Sequence, residues 1–229
     1  MHKPYFTQAT FKFLRQLGEN NQREWFQDNK QDYEDYVRSP ALAFIEDIAP
    51  ELQLVAPRFL AIPKKVGGSL MRVHRDTRFG RDKTPYKTNI GIQFRHEAGK
   101  DVHAPGYYLH IANDECFFGA GIWRPDSDAL RQIREAIVEK EKKWLAARDD
   151  KHFSGSFILS GESLQNPPRG FPKDHPQLED LKRKDFIAIG SLSKKAAQAE
   201  NLLENTLEQF ARATPYMRFL CAALDVRFD

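Results

Sequence analysis

Apolar side chains near the start of the chain recur at helical spacing. Phe11, Phe13, Leu14 and Leu17 form one set, with Thr10 as its cap and Gly18 near its end. Asn21 followed by Glu24 reads as a variant capping box. It opens a helix through Val37 carrying Trp25, Phe26, Tyr33, Tyr36 and Val37, aromatics whose spacing assigns them to the core. Ser39-Pro40 is a cap with proline at the first helical position, opening a helix with Leu42, Phe44, Ile45, Ile48 and Leu52.

The period then changes. Segments 70–74 and 90–94 read as strands, and 107–112 with 115–123 reads as a hairpin turning at Asn113-Asp114. A two-residue turn there sets Ile111 opposite Cys116, Leu109 opposite Phe118 and Tyr107 opposite Ala120, an apolar face. The other face carries Tyr108, His110, Phe117, Gly119, Gly121 and Trp123. Its glycines leave room for a ligand to approach the backbone, or for a helix to pack there.

Beyond the hairpin, Ser127 is expected to cap a long helix with Leu130, Ile133, Ile137, Trp144 and Leu145. Segments 157–159 and 186–189 are short strands. Four prolines in 166–176 exclude helix and predict an ordered loop or lid. Ser191 or Ser193 begins a helix with Leu202, Leu203, Leu207 and Phe210. Thr214-Pro215 restarts the chain as a last helix with Met217, Phe219, Leu220 and Leu224. Helices, then hairpin-linked strands, then helices predict an α+β fold: a largely antiparallel central sheet with N-terminal and C-terminal helices packed on it. Without a repeat or a linker, residues 1–229 are expected to form one domain.

Composition narrows the class. No apolar run approaches the roughly 18 residues of a membrane-spanning helix, and Met1-His2-Lys3-Pro4-Tyr5 lacks the apolar run of a secretion signal. Cys116 and Cys221 are the only cysteines, too far apart for a metal or redox motif. A cytoplasmic protein without membrane association is expected.

Charge is more telling by position than in total. The chain carries +3, yet residues 64–87 hold Lys64, Lys65, Arg72, Arg75, Arg78, Arg81, Lys83 and Lys87 against Asp76 and Asp82 alone. That net +6 leaves the remainder at −3. Alternation puts Arg72 and His74 on one face of a strand and Met71 and Val73 on the other. Guanidinium forks bind phosphate or carboxylate bidentately and lysine adds a mobile charge. The segment therefore predicts an anion site built from Arg72, Arg75, Arg78, Lys83, Tyr86 and Lys87. Tyr108, His110 and Trp123 of the hairpin face, or the Asp174-His175 loop, would complete its pocket. Asp76 and His175 are the first acid/base candidates, although a histidine held by a loop carbonyl is the simpler account of His175. Arg81, Lys64 and Lys65 are expected to be solvated.

Two alternatives stay open. The basic segment 64–87 could bind nucleic acid, although no reading motif accompanies it. In the other, the arginines pair with Asp76 and Asp82 as internal architecture of a protein-interaction module. Seven histidines show no paired spacing, so no metal site is expected. Neither a phosphate-binding glycine loop, a dinucleotide fingerprint nor a nucleophile elbow is present, and no cofactor is expected.

The pattern Arg72-x-x-Arg75-Asp76-x-Arg78-Phe79, followed by Asp82-Lys83-x-Pro85-Tyr86-Lys87, resembles the signature of bacterial proteins grouped as domain of unknown function 2461, which also turns up within longer fungal proteins. Asn20-Asn21-x-x-x-Trp25-Phe26, Gly106-Tyr107-Tyr108-Leu109, Arg169-Gly170-Phe171 and Asp174-His175-Pro176 extend the likeness over nearly the whole chain. The resemblance implies a small cytoplasmic bacterial protein of one domain and brings no catalytic residue with it.

Overall fold

The computed structural model describes residues 3–78, 82–99 and 104–229. Its N-terminal part contains α1 (Gln8–Glu19), α2 (Arg23–Asp28), α3 (Lys30–Tyr33) and α4 (Ser39–Val55), the last two joined by a π-helical turn at Glu34–Arg38. The strands are β1 (Phe59–Leu60), β2 (Asn89–His96), β3 (Gly106–Ala112) and β4 (Cys116–Ile122). Then come α5 (Ser127–Glu139), α6 (Glu141–Arg148), α7 (Lys151–Ser154), β5 (Phe157–Ser160), α8 (Leu178–Leu181) and β6 (Phe186–Leu192). α9 (Lys194–Ala197), α10 (Leu202–Arg212) and α11 (Thr214–Ala223) close the chain.

The strands form one sheet in the order β1-β2-β3-β4-β6-β5, antiparallel at every pairing, with helices before and after it. The fold is α+β. The hairpin has the expected register, with Ile111 opposite Cys116, Leu109 opposite Phe118 and Tyr107 opposite Ala120. Its apolar face, with Ile92, Phe94, Phe186 and Ala188 of the flanking strands, is buried apart from the half-buried Cys116 at its end. Phe210 of α10 fills the centre, its ring 4.5 Å from Tyr107, 5.7 Å from Phe94 and 6.5 Å from Phe118. Burying a ring of this size stabilises by about 1.5–3 kcal/mol.

Several local expectations are corrected. Pro40 stands in the first turn of α4 as expected, but without Ser39 as its cap. It has no N–H to close an α-turn on Tyr36, and the chain passes it through the wider π turn straight into α4. The expected helix through Val37 also pauses at Asn29, whose side-chain amide donates to the Trp25 carbonyl at 2.8 Å. α1 begins before Thr10, whose hydroxyl instead accepts from the Thr7 N–H at 3.1 Å. Asp126, not Ser127, caps α5, its Oδ1 accepting from the N–H groups of Asp128 and Ala129. That helix ends at Lys140, and Trp144 belongs to α6.

Beside the proline-rich loop lies a buried polar network. Asp180 of α8 accepts from Trp144 Nε1 at 2.7 Å, Arg148 Nη1 at 2.7 Å and Arg183 Nε at 3.2 Å. Arg134, also buried, donates to the Leu181 and Arg183 carbonyls. This cluster ties α5 and α6 to the segment that leads into β6.

Candidate functional site

Residues 69–75 run along the outer edge of β2 and of the chain leading into it. Met71 N–H donates to the Gly91 carbonyl, Gln93 N–H to Ser69, Lys87 N–H to Val73 and Arg75 N–H to Pro85, at 2.7–2.9 Å. Bridges form at Leu70–Ile92 and His74–Tyr86, so the expected strand is reduced to an irregular edge ribbon. Between the bonds at Met71 and Lys87, Arg72 alone faces Thr88, Asn89 and Ile90. This bulge breaks the alternation: Leu70 and Val73 are buried, Met71 is half-buried, and Arg72 and His74 are exposed.

The base of the ribbon is locked to the N-terminal helices. Tyr86 is 2% exposed and stacks on Phe26 at 4.1 Å between ring centroids. The Asn21 carboxamide makes two bonds to the backbone of Tyr86, donating to its carbonyl at 2.9 Å and accepting from its N–H at 3.0 Å. Asn21 is therefore a long-range strap and not part of a capping box, and Gln22 stands at the N-cap of α2. Tyr86 is a core ring that positions the ribbon.

Toward the tip the chain folds on its own acids. Arg78 grips Asp76 with Nε at 3.0 Å and Nη2 at 2.7 Å. These bonds and the Arg78 N–H hold the Asp76 carboxyl well below the usual carboxylate range, so it is ionised at neutral pH and has no proton to give. Arg75 Nη1 reaches Asp82 at 2.5 Å and the Thr84 hydroxyl at 2.9 Å. The Thr84 N–H and hydroxyl, and then the Arg75 charge, lower the Asp82 pKa. Lys83 Nζ donates to the Thr77 carbonyl at 2.7 Å. Exposed pairs of this kind shape a loop and add little to stability. Arg81 lies outside the described residues.

Arg72 and Lys87 are different. Neither side chain has a hydrogen bond or ion pair with any described residue. Lys87 is half-buried, lining a small recess with Leu14, Leu17, Val73, Met71 and Asn89. Burial lowers its pKa first, and the charges of Arg72 and Arg75 lower it further. The ribbon thus holds cations together without enough acid to neutralise them.

The hairpin face adjoins this group through Met71 and Asn89. A Cβ on Gly91 would lie 2.5 Å from the Tyr108 hydroxyl and 3.0 Å from Met71 Sδ, so both side chains meet over the bare glycine. Tyr108 Oη and His110 Nδ1 are 3.1 Å apart, with Asn89 Nδ2 3.5 Å from the same nitrogen. The His110 ring stacks on Phe117 at 4.5 Å. Burial lowers the His110 pKa against the opposing charge of Asp114, and raises the Tyr108 pKa to about 12 against its bond to Asn89. At neutral pH the imidazole is neutral and the phenol keeps its proton.

The glycines of this face serve the sheet itself. Gly119 makes room for Tyr108, since a Cβ there would lie 3.2 Å from Tyr108 Cβ. Gly121, at φ +125°, lies under the Phe186 carbonyl, 2.0 Å from where its Cβ would be. Phe117, Ile187 and Ile189 are half-buried and Ile158 is 77% exposed, so the face stays partly open.

Other candidates lie apart. Trp123 follows the end of β4, about 20 Å along the strand from Phe117 at roughly 3.3 Å per residue, with the Arg124 guanidinium over its ring. His175 Nδ1 accepts from the Gln177 N–H at 3.0 Å and organises the entry to α8; a loop amide holds it, where a loop carbonyl was expected. Among the described residues no three His, Cys, Asp or Glu side chains converge as metal ligands. Among the described residues no helix is long and apolar enough to cross a membrane. Sequence reasoning missed Asn21 as a strap, missed Asn89, and read Met71 only as a strand residue facing away from Arg72. Asn21 had one signal, its place in the shared motif.

These features define an α+β protein with a cation-rich ribbon at one edge of its sheet. The chain belongs to the family described as conserved hypothetical protein (DUF2461), whose model matches residues 9–219. No curated protein matches it.

Proposed function

We propose that this protein, as a single cytoplasmic domain, binds a small molecule through its phosphate or carboxylate group. Arg72 and Lys87 are the primary contacts and Arg75 supplies its remaining N–H donors. Arg78 and Lys83 frame the loop, Tyr86 holds its base, and Tyr108 and His110 border the site. The observation that carries the reading is Lys87: a half-buried ammonium without an acid partner among the described residues, crowded by two guanidinium groups. Crowding of this kind is unfavourable by itself and is relieved by an anion that bridges the cations. An architectural role accounts for Arg78 and for one nitrogen of Arg75, and leaves Arg72 and Lys87 without a purpose.

Calorimetric titration with inorganic phosphate at low ionic strength tests it. Binding is expected in the wild type and should weaken by about tenfold or more in Arg72→Ala and in Lys87→Met, each charge-assisted bond being worth roughly 1.5–3 kcal/mol. Both variants should fold normally. No phosphate binding in the wild type, or binding indifferent to both substitutions, would overturn the reading.

A further inference from the structure

The group beside the cations is arranged more specifically than a bare anion requires. Tyr108, protonated, has its hydroxyl 3.1 Å from His110 Nδ1, and the Asn89 amide approaches the same nitrogen. Two donors facing Nδ1 make it the acceptor nitrogen, so in the neutral ring Nε2 carries the hydrogen. Nε2 has no partner among the described residues, and it is not among the sealed, unpaired side-chain atoms. It is therefore an N–H of fixed direction that reaches the surface. Stacking on Phe117 holds the ring in place.

Around that donor the surface is soft and aromatic. The Met71 thioether and the Tyr108 hydroxyl meet over Gly91, and the Tyr108 and Phe117 rings lie 5.8 Å apart. Met71 precedes Arg72 in the chain, and it lines one recess with Lys87 and Asn89. Met71 and Asn89 thus border both the recess beside Lys87 and the Tyr108–His110 group. Inorganic phosphate would use the first and leave the second untouched. A flat apolar body would find thioether and ring contacts suited to it.

We infer that the anion held by Arg72 and Lys87 is one end of a larger organic ligand, a phosphate or carboxylate whose planar apolar body lies along Met71, Tyr108, His110 and Phe117 and accepts a hydrogen bond from His110 Nε2–H. This rests on the anion-binding reading above and adds the class of molecule that carries the anion.

The test compares inorganic phosphate with para-nitrophenylphosphonate, a stable tetrahedral oxyanion on a planar ring with a hydrogen-bond acceptor at its far end. The wild type should bind the phosphonate at least about tenfold more tightly, the gain expected from an apolar ring and one added hydrogen bond. His110→Phe keeps a ring against Phe117 and removes the N–H. It should lose most of the preference for the phosphonate over inorganic phosphate. In the wild type, nuclear magnetic resonance should show the His110 imidazole signals moving with the phosphonate and staying still with phosphate, a readout that does not depend on the variant folding. Equal affinity for the two ligands, or phosphonate binding without movement of His110, overturns this inference while leaving anion binding intact. Binding of neither ligand overturns both.

Discussion

Two arginine-rich regions of this molecule use the same side chain in opposite ways. Around Asp180, three guanidinium groups and an indole N–H converge on one buried carboxylate and on backbone carbonyls. Arg148 also forks Asp149. Each guanidinium group there has an internal acceptor, and the cluster holds α5, α6 and α8 together. At the ribbon, Arg78 and part of Arg75 close on Asp76 and Asp82, and among the described residues no further acid pairs with the group. Arg72 and Lys87 remain. What separates a structural cluster from a binding cluster is therefore the local supply of acceptors, not the density of arginine.

The sharpest way to break this contrast is Asp180→Ala. It leaves the half-buried Arg148 and Arg183 guanidinium groups and the buried Trp144 N–H without their shared acceptor and should cost about 3–5 kcal/mol, read as a lower denaturation midpoint. A change below about 1 kcal/mol would mean the network is not structural. Asn21→Ala removes both bonds to the Tyr86 backbone and should cost about 1–3 kcal/mol by the same measurement, with weaker phosphate binding because the ribbon loses its strap.

Lys87→Met should behave in the opposite way, leaving stability within about 0.5 kcal/mol or raising it. The sign follows from protonation. The folded pKa of Lys87 lies below its ordinary 10.5. Between the two values the unfolded chain holds more protons, so stability rises with pH there, and below that window the penalty is fully present. The methionine variant should lack that rise. Phosphate affinity of the wild type should fall as pH climbs through the titration of Lys87.

His110 provides the smallest effect. Its folded pKa lies below 6.5, so the unfolded chain takes up a proton first as the solution is acidified. Stability should be lost as pH falls from about 6.5 through the lower folded value. His110→Phe should flatten that part of the profile of midpoint against pH.

Much of the frame was legible beforehand. The hairpin register followed from strict alternation and a two-residue turn, because a slip would expose Leu109 and Phe118. The helices at both ends followed from apolar spacing. The two-residue strand β1 left no periodic trace, and the π turn depends on how Pro40 is accommodated. The Asp180 network was invisible because its residues lie in charged stretches that read as solvated surface. At the site, arginine density announced the place. Which arginines close on acids was not legible, since Arg78 turns back two residues and Arg75 reaches forward seven. Asn21 meets Tyr86 across 65 residues, and no local spacing encodes that.

Co-crystallisation with phosphate at low ionic strength is the most direct measurement. The account predicts an anion bridging the Arg72 guanidinium and the Lys87 ammonium, with Arg78 still closed on Asp76. A structure in which Arg72 and Lys87 fold onto carboxylates of their own chain, with no anion between them, would contradict it.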